Sequence, residues 1–151
     1  MKKKFWLFGT NLTIVVDEIE TDGKYDLIDG IVPACVETPL HLHTKYSEAI
    51  YVLEGELTVY LENRTLVLKP GDSVFIPRGA QHVVAASGAT NARALTVASP
   101  SGFAELIRQV GTLNEPDIDD PKINDMLLFL KVSEKIGDVI IGSPGSRPMV
   151  L

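Results

Sequence analysis

The amino-acid sequence predicts an all-β fold with helices confined to its C-terminal third. Three features carry that expectation. Turn formers are frequent, with 12 glycines and 9 prolines among 151 residues. Residues 5–99 break into short runs of β-branched and aromatic side chains divided by turn signals. Helical spacing of apolar residues sets in only after Ser99.

The elements follow in order. Residues 12–16 read as a strand, residues 21–24 as a turn, and residues 25–28 and 31–37 as extended. Residues 47–53 alternate and stop at Glu54-Gly55. Strands at 56–61 and 65–68 flank a hairpin turn at Glu62-Asn63-Arg64, and Pro70-Gly71 turns the chain again before residues 73–76. After Pro77-Arg78-Gly79 come strands at 81–86 and 93–98. So many short strands predict a sandwich or barrel. Beyond them, Phe103, Leu106, Ile107 and Val110 predict a helix with Ser101 as N-cap and Gly111 past its end. Residues 113–120 read as a loop. A longer helix is predicted over 121–136, with Asp120 as N-cap, Pro121 in the first turn, Gly137 as C-cap, and Ile123, Leu127 and Leu130 on one face. Residues 138–141 suit a last strand, and 142–148 a tail.

The net charge of −6 argues against a nucleic-acid partner, which would require a basic surface. Lys2-Lys3-Lys4 reads as a solvated tail. The single cysteine, Cys35, excludes an intrachain disulfide and fits a reducing compartment. Residues 5–8 are too short for the apolar region of a signal peptide, and no stretch has the length of a transmembrane helix. A cytoplasmic protein with no membrane partner is therefore expected.

The chain has three histidines. His41 and His43 share a face if they lie on a strand. Glu48 follows five residues after His43, and His82 opens a later strand. Three imidazoles and a carboxylate suit one divalent first-row ion: Fe, Mn, Ni, Cu, Co or Zn. Taken alone, an isolated His-x-His pair reads better as unrelated structural histidines near turns.

The surroundings of these residues are more specific. His41-Leu42-His43 with Glu48 and Gly55, followed after 15 residues by Gly71, Pro77-Arg78-Gly79 and His82, resembles the two sequence motifs of the cupins. The resemblance covers residues 30–99. It implies a jelly-roll barrel with His41, His43, Glu48 and His82 as metal ligands. A single domain over 1–151 is expected, with a core barrel over about 25–99 and a helical extension over about 100–137. A fainter likeness spans nearly the whole chain. Phe5-Trp6 with Gly9, Pro100-Ser101-Gly102-Phe103 and Lys135-Ile136-Gly137 resemble bacterial single-domain cupins similar to quercetin dioxygenases. Two positions depart from the motifs: Cys35 stands where the family has glycine, and Ala86 where it has asparagine.

The resemblance implies a metal-dependent dioxygenase of a small enolic or aromatic substrate, with Glu48 as a base. The alternatives are a non-catalytic small-molecule binder or sensor, or a metal-dependent isomerase. A homodimer is also implied, with Phe5, Trp6 and Phe8 as a strand able to pair with a partner or with its own sheet. Strand phase places Ile50 and Val52 with Glu48, Val84 and Ala86 with His82, and Cys35 with Glu37, as candidate lining of a substrate pocket. Tyr46 is a candidate substrate contact. Phe103, Leu106, Phe129 and Leu130 either flank the mouth or simply pack helix on sheet. Such a pocket suits a neutral, flat ligand better than a phosphosugar.

Overall fold

The computed structural model describes residue 2 and residues 4–115 and 125–149. Two antiparallel sheets face one another, and the chain passes repeatedly between them. The first sheet contains β1 (Lys4–Leu7), β2 (Thr10–Val16), β3 (Asp26–Val32), β5 (Ser47–Glu54), β8 (Ser73–Ile76) and β10 (Ala92–Ser99), in the spatial order β1-β2-β3-β10-β5-β8. The second contains β4 (Leu40–His43), β6 (Leu57–Leu61), β7 (Thr65–Leu68), β9 (His82–Ala86) and β11 (Asp138–Gly142), in the order β11-β4-β9-β6-β7. This alternation makes a jelly roll, the form of barrel that the motif resemblance implies.

Local chemistry explains most of the joints. Gly55 ends β5 at φ +70, and a Cβ there would lie 2.3 Å from the Asn91 carbonyl oxygen, so only glycine fits. Phe8 and Gly9 form the two-residue turn between β1 and β2, closed by the Leu7–Thr10 pair. Both take positive φ, +47 and +83, as the twist of such a hairpin demands. A phenylalanine is an uncommon tenant of that conformation. Its ring meets Phe129 edge-on with centroids 4.9 Å apart.

Several expectations are corrected. Residues 25–37 do not make two extended runs: β3 is continuous, and residues 33–36 turn, with Val36 N–H donating to the Pro33 carbonyl. A short helix, α1 (Glu18–Thr21), precedes the predicted turn and is capped reciprocally by Asp17 and Glu20. The next helix, α2 (Phe103–Val110), is not capped by Ser101. Gly102 is its N-cap, and the buried carboxylate of Asp26 accepts from the Gly102 and Ala104 N–H groups at 2.9 and 3.0 Å. The last helix, α3 (Met126–Ile136), is capped by the Asp125 side chain, while the proposed Asp120 cap and Pro121 lie outside the described residues. Gly137 closes this helix in the left-handed conformation, as predicted. Of the predicted apolar face, Ile123 lies outside the described residues and the rest is turned outward: Leu127 is 81% and Leu130 44% exposed, whereas Phe129, Val132 and Ile136 are buried. Apolar residues occupy both faces of this helix, so periodicity alone did not identify the packed one.

The N-terminal strand pairs within its own chain. It forms a ladder with β2, and Trp6 exchanges backbone hydrogen bonds with Thr112 on its other side. Two apolar clusters result. One lies between the sheets, around Val52, Leu57, Val59, Val74, Ile76 and Ala86. The other joins the helices to the sheet, around Ile28, Tyr46, Ile107, Phe129, Val132 and Ile136. No helix among the described residues is long and apolar enough to cross a membrane.

Candidate metal centre

The second sheet brings the histidines together by register. His41 on β4 stands directly opposite His82 on β9, and opposed residues share a face. His43, two residues along β4, shares that face too. Glu48 comes from the other sheet, on β5, where it pairs with Ile76 and Ala98. The ring centroids lie 4.2 Å (His41–His82), 4.9 Å (His41–His43) and 5.0 Å (His43–His82) apart. One ligand atom from each ring lies within 4.8 Å of the other two. Glu48 Oε2 is 3.1 Å from His43 Nε2 and 3.4 Å from His82 Nε2.

Hydrogen bonds assign the tautomers. His41 Nδ1–H donates to the Pro39 carbonyl at 2.7 Å, and His82 Nδ1–H to the Ala80 carbonyl at 2.8 Å. A carbonyl only accepts, so both rings carry a proton on Nδ1 and turn Nε2 toward the cluster. His43 Nδ1–H donates to Asp138 Oδ1 at 2.6 Å. The Nε2 atoms of His43 and His82 are buried without an aligned hydrogen bond, although Glu48 is close. Buried polar atoms are rarely left so, and a cation would satisfy both. The residues present therefore fit a metal ion.

The electrostatics agree. Burial, then the neighbouring His82 and His43, lower His41 to a pKa of about 3. Burial disfavours the charged form of His43, but Glu48 and Asp138 outweigh it and raise its pKa to about 10. Burial pushes Glu48 upward, yet His43 and His82 prevail and hold its carboxyl well below the usual range. Without a cation, one proton on His43 partly balances the carboxylates; a metal ion would take its place.

The cluster opens onto a cavity of about 180 Å³ with mostly apolar walls. Ile50 and Val84 line it beside His41, His43 and Glu48, while Phe103, Leu106 and Phe129 line its helical side. Thr10, Thr38 and Thr96 add hydroxyls. Three candidate lining residues lie elsewhere. Val52 and Ala86 are in phase with the site but sealed in the core between the sheets. Cys35 is exposed, in a turn at φ +66 that breaks the alternation linking it to Glu37. Leu130 is outside as well, on the outer face of α3. Tyr46, the candidate substrate contact, does not line the cavity: it is 1% exposed and stacks on His43, with centroids 4.3 Å apart.

Asp138 is the site residue that the motifs did not indicate. Its hydroxyl partner is Tyr46, which donates to Oδ2 at 3.1 Å. A signal was present, because alternation along β11 puts Asp138 in phase with cavity-lining Ile140 while Val139 and Ile141 face outward. A carboxylate on the inner face of an apolar strand calls for a partner.

Comparison with known proteins places these residues in context. The cupin domain family matches residues 30–98. An uncharacterised protein of Methanocaldococcus jannaschii is 36% identical over 61 residues, 40% of this chain and 49% of that protein. Quercetin 2,3-dioxygenase of Bacillus subtilis is 29% identical over 69 residues, 46% of this chain and 20% of the enzyme. These matches span half or less of each relative. Among solved structures, the polyketide cyclase RemF of Streptomyces resistomycificus is similar with a TM-score of 0.58 and 28% identity, over 66% of this chain and 75% of that one.

Proposed function

From the premise that this chain belongs to the cupin superfamily, we propose that it is a mononuclear metal enzyme that oxygenates a small enolic or phenolic compound. The observation that carries this reading is the convergence of three imidazoles and Glu48 beside a cavity with mostly apolar walls, with backbone carbonyls taking the Nδ1 protons of His41 and His82 so that their Nε2 atoms face the cluster. His41, His43, His82 and Glu48 would hold one divalent ion. When bound, such an ion polarises a substrate oxygen and opens a route for electrons from the substrate to O₂.

The chain's own residues supply the rest. Ile50, Val84 and Phe129 exclude water and favour a flat ring. The Thr10 and Thr96 hydroxyls offer neutral hydrogen bonds to substituents. Glu48, once released from the ion, would take the proton from a substrate hydroxyl. The overall reaction adds both atoms of O₂ to the substrate and needs no further reductant. A cavity of about 150 Å³ admits benzene, so the 180 Å³ here suits one ring with short substituents.

A second reading is a non-oxidative isomerase or cyclase of the same substrate class. The likeness to a polyketide cyclase favours it. Oxygen uptake separates the two. Protein loaded in turn with Fe, Mn, Co, Ni and Cu, and offered small catechols and enediols, is expected to consume one O₂ per substrate in at least one metal form, and not as His41→Ala. Isomerised product formed under argon would favour the second reading. No turnover by any form, with or without oxygen, would overturn both.

A further inference from the structure

We propose that Asp138 is a positioning residue of the metal centre, so that the C-terminal extension completes a site whose proposed ligands all lie in the barrel. The inference rests on the metal-centre reading above and deepens it.

Each of the three imidazoles needs an acceptor for Nδ1–H if its Nε2 is to face a cation. His41 and His82 obtain theirs locally, from carbonyls two residues upstream, Pro39 and Ala80. His43 does not. Its acceptor is a carboxylate 95 residues away in sequence, at 2.6 Å. An ionised acceptor makes a stronger bond than a carbonyl and makes the opposite nitrogen a better donor. His43 is also fixed on its face, because Tyr46 stacks on it at an interplanar angle of 25° and bonds to the other oxygen of Asp138. Tyr46 in turn lies against Gly102, where an added Cβ would approach Cδ1 to 3.1 Å. One buried carboxylate thus holds the edge of a ligand and the aromatic plate behind it.

The chain invests several features in putting Asp138 there. β11 pairs with β4 so that Asp138 is opposite His43, on the same face. Gly137, at φ +83, turns the chain from α3 into that strand. Its carbonyl accepts from the Thr44 N–H at 2.8 Å and the Thr44 hydroxyl at 2.6 Å, while Lys45 Nζ donates to the Lys135 carbonyl at 3.1 Å. A Cβ at Gly137 would lie 2.6 Å from both Lys45 Cγ and Thr44 Oγ1. The extension is therefore clamped onto the turn that follows His43. A buried carboxylate is costly unless its partners are well placed. Among the described residues its side-chain partners are His43 and Tyr46, and both belong to the site.

Cobalt(II) affinity of the chelator-stripped, full-length chain tests this, read by chelator competition together with the ligand-field spectrum. Asp138→Ala should bind 10- to 100-fold more weakly, roughly the range for lost outer-sphere partners, with shifted cobalt bands. Asp138→Asn, which keeps an oxygen acceptor but loses the charge, should fall between that and wild type. In a His43→Ala background, adding Asp138→Ala should change affinity less than about twofold, because the partner through which it acts is gone. Asp29→Asn, at a surface pair with Arg93, should bind like wild type. Wild-type affinity and spectrum in both Asp138 variants would overturn the proposal, as would an equal loss with and without His43. If Asp138→Ala does not fold, Asp138→Asn with an unchanged melting temperature decides the matter. Failure of wild type itself to bind cobalt or any other divalent ion would instead overturn the metal-centre reading on which the proposal rests.

Discussion

The barrel and the C-terminal extension orient their polar groups in opposite ways. In the barrel, His41 and His82 are held by carbonyls two residues upstream, in the segments that lead into their strands. In the extension, Asp138 reaches back across the fold to His43, and Asp26 of the barrel reaches forward to cap α2. The barrel's site is built from local geometry repeated at each strand end. The extension's contribution is built entirely from tertiary contacts. The first kind is written as a short motif; the second depends on two distant segments arriving in register.

This contrast can be broken or sharpened by substitution. The largest effect is expected in the barrel. Removing a direct donor with His82→Ala should weaken metal affinity on the order of a thousandfold, about 4 kcal/mol, and leave the purified protein without stoichiometric metal in elemental analysis. A loss no greater than that of Asp138→Ala would erase the distinction between ligand and support. In the extension, Phe129→Ala removes a buried ring from both the helical core and the cavity wall. It should cost roughly 3 kcal/mol or more in urea unfolding. A change under 1 kcal/mol would mean that the helices are not part of the cooperative core.

Gly137→Ala comes next. It places a Cβ at positive φ against Thr44 and Lys45, and should cost about 2 kcal/mol. It should also weaken metal binding, because Asp138 moves with it; destabilisation with intact affinity would separate the clamp from the site. Metal affinity should also depend on pH. Since His43 is raised to about 10 in the metal-free protein, it carries a proton at pH 7 that metal binding must displace. His41, lowered to about 3, carries none. Affinity should therefore tighten about tenfold per pH unit between pH 7 and 9, and calorimetry in buffers of different ionisation enthalpy should report close to one proton released per metal ion. Affinity that is flat over this range would contradict the assignment. The smallest effect belongs to exposed Cys35: Cys35→Ser should change stability by less than about 0.5 kcal/mol and metal affinity not at all.

The strands were legible because period-2 alternation survives in β5 and β8, and the clustering of His41, His43, Glu48 and His82 because these residues occupy fixed places beside turn glycines. Depth was less legible. Alternation told which face Val52 and Ala86 occupy, but not that this level of the barrel is filled by side chains from both sheets. Cys35 escaped because one left-handed residue resets the phase of a strand. The capping of α2 was missed because the acceptor, Asp26, is 76 residues upstream of Gly102. Asp138 was missed for the same reason at greater distance: its inward phase was readable along β11, but its pairing with His43 depends on the register between β11 and β4.

The most direct test of the central claim is a divalent-metal titration of the stripped wild-type chain, followed by copper(II) paramagnetic resonance of the loaded form. One ion per chain is expected, with hyperfine coupling to imidazole nitrogens that is lost stepwise in His41→Ala, His43→Ala and His82→Ala. Binding of no ion, or a signal unchanged when all three histidines are replaced, would contradict it.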